Sequence, residues 1–234
     1  MTKEDAHFMR NVLITGANRG IGLELVRQYA AAGWRVLATC RNPRQATALA
    51  DLAGEISIHA LDVCADQSLK NLASELRGVA LDLLINNAGM MGERSALGQI
   101  NYQSWAEVLA VNTLSPIRVS EYFLEHVARS EGKTIAMITS KMGSISDNKG
   151  GGSYIYRSSK AALNAAAKSL SVDLAPRAIA CVLIHPGWVQ TDMGGPNALI
   201  STPESVRGIR NVLERATLKD SGAFFNYDGS HIPW

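Results

Sequence analysis

Along the whole of this chain, short apolar runs alternate with longer segments of helical period, and that alternation narrows the possible folds most. Parallel strands are buried on both faces and read as continuous apolar runs, whereas amphipathic helices repeat their apolar positions every three to four residues. Strands are predicted over 11–15, 35–39, 56–61, 81–85, 134–139, 179–184 and 223–227. Between them, a helix over 21–32 is stopped by Gly33, another follows Pro43, and a third is N-capped by Asp66 and ends near Gly78. A long helical stretch over 102–129 is bent by Pro116, and a further helix covers 154–175. The pattern predicts an α/β fold: a doubly wound parallel sheet of about seven strands, flanked by helices on both faces.

The 234 residues suit one such domain, and no repeat or linker divides them. The expected organisation is a single dinucleotide-binding domain over 1–234, with a substrate-binding lid around 192–216. Hydrophobic residues make up 47% and charged residues 19%, an ordinary globular composition. The 23 basic and 21 acidic residues leave a net charge of +2 with no dense cationic run, so nothing points to nucleic acid or an anionic membrane. Cys40, Cys64 and Cys181 are far apart, and none has zinc-ligand spacing. They read as reduced thiols, Cys181 filling a buried strand. With no signal peptide in residues 1–10 and no long apolar segment, a cytoplasmic protein without a metal is expected.

The turn after the first strand reads Thr15-Gly16-Ala17-Asn18-Arg19-Gly20-Ile21-Gly22. Glycines there allow a tight bend and close approach of a pyrophosphate, and the helix that follows offers free N–H groups and a positive dipole end. The spacing is GxxxGxG and not the common GxGxxG, and glycines near a strand end are often turn formers alone. An NAD site places an acid near the end of the second strand, to bind the ribose 2′-hydroxyl. Here that strand runs into Thr39-Cys40-Arg41 with no carboxylate. Arg41 can pair with a 2′-phosphate, and Arg19 could reach the same group, which points to NADP(H). The alternative is that both arginines merely solvate loops.

Tyr156 and Lys160 are one helical turn apart on one face. An ammonium there can lower the pKa of a phenol and ready it for acid–base chemistry. Such a pair is weak alone and needs context. Ser140 lies at the carboxyl end of the fifth strand, where ligands of open parallel sheets bind, and its hydroxyl could steady a developing charge on a substrate oxygen. Asn112 interrupts a long helix. It is either a tolerated surface position or the holder of a water linked to Lys160.

The ordered segments TGANRGIG (15–22), LDV (61–63), NNAG (86–89), VNT (111–113), TSKMGS (139–144), YRSSK (156–160) and HPGWVQTDMGG (185–195) together resemble the short-chain dehydrogenase/reductase family over essentially the whole chain. Within it, GGSYIYRSSKAALN, HPGWVQTDMGGPNA and NYDGSHIPW are most similar to the branch of C-factor and sniffer-type carbonyl reductases. The resemblance implies a Rossmann-fold oxidoreductase moving a hydride between NADP(H) and a carbonyl or alcohol. Tyr156 would be the general acid/base, and Lys160 would lower its pKa and hold the nicotinamide ribose. Ser140 would orient the carbonyl, and Asn112 would support a water and proton relay. The cofactor would be held by Gly16, Asn18, Arg19, Gly20, Ile21, Gly22 and Arg41. Asp62 and Val63 would meet adenine, Asn86, Asn87, Ala88 and Gly89 would flank the cofactor, and Pro186, Gly187, Val189 and Thr191 would lie at the nicotinamide. The gap from Ser140 to Tyr156 is longer than in many members, which leaves Ser144 as a minor competitor.

Met142, Trp188 and Met193 suggest a partly apolar substrate pocket, although such residues are more often packing. A ketone, an aldehyde or a quinone-like carbonyl all fit. His59 and His185 read as structural, since no Ser-His-Asp order accompanies them. The small residues Ala161, Ala162, Ala165 and Ala166 permit close helix packing, and the resemblance implies a homodimer or homotetramer. The rival readings are an NADP(H)-sensing regulator and a C-factor-like signalling protein with little turnover. Retention of both Tyr156 and Lys160 speaks against a pure sensor.

Overall fold

The computed structural model describes residues 9–234; most of the segment read for a signal peptide lies outside them. Seven strands form: β1 Asn11–Ile14, β2 Arg35–Cys40, β3 Ile56–Ala60, β4 Leu83–Asn86, β5 Thr134–Ile138, β6 Ala180–His185 and β7 Phe224–Asn226. All pair in parallel in one sheet, in the order β3-β2-β1-β4-β5-β6-β7. The order reverses between β1 and β4, and a crevice opens beyond the strand ends at such a reversal.

The period-two alternation of the strands separates two cores. Val12, Ile14, Val36, Ile85, Val182 and Ile184 face one side, against Leu25, Val26 and Tyr29 of helix α1 (Gly20–Ala31) and Val206 and Ile209 of helix α7 (Thr202–Arg215). Leu13, Leu37, Leu84, Ile135, Met137 and Leu183 face the other. There they meet Leu69 and Leu72 of α3 (Asp66–Glu75), Phe123 and Val127 of α5 (Ser115–Ala128), and Leu163 and Ala167 of α6 (Tyr154–Leu174). Each such aliphatic side chain contributes roughly 1.5–3 kcal/mol through burial, so both helix layers are held firmly.

Four local expectations are corrected. Pro43 opens only a three-residue turn, Pro43–Gln45, and the helix after it, α2, is the single turn Thr47–Ala50. Ala65, not Asp66, occupies the N-cap of α3, because the Asp66 carboxylate is taken by the Tyr122 hydroxyl at 2.8 Å. The 102–129 stretch is not one helix bent at proline. Helix α4 (Tyr102–Leu109) runs into a π turn over Ala110–Leu114, and α5 restarts with Pro116 in its first turn, where its missing N–H costs nothing. Finally, 202–215 of the expected lid is a core helix. Ser205, Val206, Ile209 and Leu213 of α7 are buried against α1 and the sheet, while Asp192, Met193 and Thr202 line the crevice.

Candidate active site

The glycine-rich turn is locked to the end of β4. The Thr15 hydroxyl accepts from the backbone N–H groups of Asn87 and Ala88, both at 3.0 Å. The Asn87 amide donates to the carbonyls of Thr15 and Gly16 at 2.9 and 3.0 Å. Gly16 adopts φ +65°, and a Cβ on it would lie 2.9 Å from Ala88 Cα. A Cβ on Gly22 would lie 2.2 Å from the Gly16 carbonyl oxygen. Only glycine therefore lets the first turn of α1 sit this close to the strand ends. Arg19, the N-cap of α1, makes no side-chain cap, so no side chain of that residue takes up the helix's first N–H groups.

Beyond these ends lies a cleft of about 880 Å³. Gly16, Asn18, Arg19, Gly20, Ile21 and Gly22 form one wall, and Arg41, Asp62 and Val63 another. Asn87, Ala88 and Gly89 flank it, with Tyr156, Lys160, Pro186, Thr191 and Met193 at the far end. Asn86 lies apart from them; it is buried and donates to the Ser120 hydroxyl at 3.2 Å. Arg41 stands beside Asn42 and Gln45 in the cleft. Arg19 is engaged elsewhere: its guanidinium pairs with Asp192 at 2.9 Å. Asp192, a cleft residue that the sequence reading passed over, adjoins Thr191 in the HPGWVQTDMGG segment, where an acid among cofactor positions was the available signal.

Helix α6 carries Tyr156 and Lys160 on its buried face, and the end of β5 presents Ser140 to them. Burial pushes the Tyr156 phenol above its ordinary value, and Ser140 opposes that rise. The Lys160 amine lies 5.9 Å from the Tyr156 ring centre and donates to the Ile138 carbonyl at 2.9 Å. Burial also pulls Lys160 from 10.5 to about 8. Ser144 is not Tyr156's partner; its hydroxyl accepts from the Asp147 N–H at 3.2 Å within the following turn.

Asn112 sits in the π turn and is fully buried. It accepts from the Met90 N–H at 2.9 Å and donates to the Met90 carbonyl at 2.8 Å and the Ser159 hydroxyl at 3.0 Å. Its side chain is a clamp joining the β4 loop, the π turn and α6. Met90 and Ser159 are further site residues that the sequence reading missed, since only the fold brings them to Asn112.

Gly187, Trp188 and Val189 follow β6 in a turn braced by two hydrogen bonds, Trp188 Nε1 to the Gly194 carbonyl at 2.8 Å and the Ser205 hydroxyl to the Pro186 carbonyl at 2.5 Å. Trp188 and Met193 are half exposed, Met193 lining the cleft and Trp188 outside its lining, and Met142 follows Ser140 in a short turn, Lys141–Gly143. His185, at the end of β6, is pulled down to about 4, chiefly by burial and then by Lys141. It stays a neutral structural residue. His59 bonds to Glu75 and Ser57, away from the cleft.

A family model described as short chain dehydrogenase matches residues 10–198. The C-signal protein of Myxococcus xanthus is 47% identical over 154 residues, 66% of this chain and 93% of that protein. Among solved structures, the carbonyl reductase Sniffer of D. melanogaster superposes with a TM-score of 0.91 at 37% identity, over 97% of this chain and 100% of that one. The NADPH-bound carbonyl reductase from chicken fatty liver gives 0.89 at 37% identity, over 97% and 99%.

Proposed function

The chain belongs to the short chain dehydrogenase family, and from that we propose an NADP(H)-dependent oxidoreductase that reduces carbonyls to alcohols, Tyr156 acting as the general acid. The observation that carries this reading is Tyr156 and the buried Lys160 amine, 5.9 Å from its ring centre, together at one end of a dinucleotide-sized cleft. When bound, NADPH supplies the hydride. The cradle at Gly16 and Gly22, which a Cβ would fill, suits a pyrophosphate, and Arg41 without an acid beside it suits a 2′-phosphate.

The chain's own residues then divide the work. Gly16 to Gly22 hold phosphate with backbone N–H groups, and Asp62 and Val63 border the adenine. Pro186, Gly187, Val189 and Thr191 position the nicotinamide end. Ser140 donates to the substrate carbonyl oxygen, and Tyr156 delivers a proton to that oxygen as it becomes an alkoxide. Lys160 holds the ribose and draws charge from the phenolate left behind. Asn112 keeps Met90 and Ser159 in place around this group. Met142, Trp188 and Met193 give the substrate an apolar rim, and the loop 192–201 covers it. Helix α6 exposes Ala165 and half-exposes Ala161, Ala162 and Ala166, which supports a homodimer or homotetramer through that face. Three free thiols fit a cytoplasmic setting.

NADPH consumption with a panel of ketones, aldehydes and quinones tests the reading. Tyr156→Phe is expected to abolish turnover while NADPH still binds; full activity in that variant overturns the mechanism. The similarity to C-signal favours a second reading, an NADP(H)-binding signalling protein with little turnover. Binding of NADPH with no carbonyl reduced across the panel would select it.

A further inference from the structure

Asn164 is the one polar side chain on the buried face of α6 between Lys160 and Ser171, and it is 2% exposed. It stands one turn beyond Lys160 and two beyond Tyr156, in the same row of the helix. Its neighbours on that face, Leu163 and Ala167, belong to the apolar core, where a leucine would pack without any polar cost. Asn164 bears such a cost, because its Nδ2 has no hydrogen-bond partner among the described residues. A buried amide with one half unpaired gains nothing from packing, so its value lies in what the other half holds.

That half holds the strand end carrying Ser140. The Thr139 hydroxyl donates to Asn164 Oδ1 at 2.6 Å. At the other side of Ser140, Gly143 lies flat on α6: a Cβ there would be 2.8 Å from the Lys160 carbonyl carbon and 3.0 Å from Asn164 Nδ2. The turn between is closed by the Gly143 N–H to the Ser140 carbonyl at 2.8 Å and the Met142 N–H to the Ser140 hydroxyl at 3.1 Å. Asn164 therefore anchors the residue just before Ser140 from the helix that carries Tyr156, and the close packing of Gly143 on that helix holds the other side.

We propose that Asn164 is a positioning residue for proton transfer, holding Ser140 in register with Tyr156 through its hydrogen bond to the neighbouring Thr139. The inference rests on the reductase reading and adds a residue to it. Asn164 touches neither cofactor nor reacting atoms; it sets the register of β5 against α6. Leucine at 164 removes the grip and keeps the volume. Thr139→Val removes the same hydrogen bond from the other side and is nearly isosteric.

Two measurements on the full chain test this. The first is the NMR resonance of the Tyr156 ζ-carbon, identified by its loss in Tyr156→Phe, which reports the surroundings of the phenol without any turnover. The second is the pH profile of kcat with NADPH and a reducible carbonyl. In Asn164→Leu and Thr139→Val the resonance should move. The tyrosine limb of the profile should shift to higher pH, and kcat should fall about five- to tenfold with KM for NADPH changed less than about twofold. Thr139→Ser should restore what Thr139→Val loses. If Asn164→Leu does not fold, Thr139→Val carries the test. Folded variants with an unmoved resonance and an unmoved limb overturn the proposal. A wild-type chain that reduces no carbonyl overturns the reductase reading instead, and the resonance still decides whether Asn164 governs the phenol.

Discussion

The guanidinium of Arg19 and the carboxylate of Asp192 meet at 2.9 Å, joining the glycine turn after β1 to the loop after β6 across the mouth of the cleft. Both side chains are largely exposed, 68% and 80%, so the pair adds little to stability. Its consequence is competition. A 2′-phosphate that recruits Arg19 must draw it from Asp192. Asp192→Asn should therefore tighten NADPH about two- to fivefold and leave NADH nearly unchanged, with the difference shrinking at high salt. Fluorescence titration of both cofactors measures it. Equal gains for NADPH and NADH would place Arg19 away from the phosphate.

Arg41 is expected to carry the larger share of cofactor choice. It lines the cleft just after β2 and makes no ion pair among the described residues, so its charge is available to a phosphate. A charge-assisted bond of this kind contributes roughly 1.5–3 kcal/mol, or about 10- to 100-fold in affinity. Arg41→Asp should lower kcat/KM for NADPH by that factor and raise it for NADH, since the new carboxylate can accept from a ribose hydroxyl. An unchanged ratio of the two would refute the assignment.

At Gly22 the space for a side chain is gone: a Cβ would stand 2.2 Å from the Gly16 carbonyl and 2.6 Å from the Asn87 amide. The first is backbone and cannot swing aside. Gly22→Ala should cost about 1–3 kcal/mol in chemical denaturation and abolish NADPH binding, because relieving the clash moves the turn off Asn87. Gly150→Ala is the control. It has open space around it, and its stability should stay within about 0.5 kcal/mol of wild type.

Regular patterns were legible in the chain, and tertiary choices were not. The seven strands announced themselves because parallel strands buried on both faces are apolar without a break, and the four-residue spacing of Tyr156 and Lys160 puts both on the buried face of α6. Asp66 looked like a cap by residue type, yet Tyr122, 56 residues away, claimed its carboxylate. The π turn at 110–114 left no mark, since Asn112 earns its place through Met90 and Ser159, which adjoin it only in the fold. Helix α7 did carry a signal that was passed over, Ser201, Pro203 and Glu204 at its start and Val206, Ile209 and Leu213 at helical spacing. Only its buried Ser205 depends on the fold, since it holds the Pro186 carbonyl. Arg19 had the right charge for a phosphate, but its pairing with Asp192 depends on a loop 173 residues away.

Lys160 gives the site a pH signature separable from catalysis. Burial alone takes its amine from 10.5 to about 8. Between those values the unfolded chain binds a proton that the folded chain does not, so stability rises with pH across that window. Below about 8 both states are protonated, and the full cost of burying an ammonium, on the order of 3 kcal/mol, is present. Lys160→Met should remove this cost along with turnover. Relative to wild type, the variant without cofactor should gain up to about 3 kcal/mol below pH 8, less the lost bond to the Ile138 carbonyl, and the gain should fade towards pH 10.5. Urea denaturation of both proteins at the two ends of the window reads the difference directly, because every other titrating group is common to both. A gain that is the same at both ends would mean that the amine is not desolvated in the folded protein, and that its closeness to Tyr156 lies in a wet site.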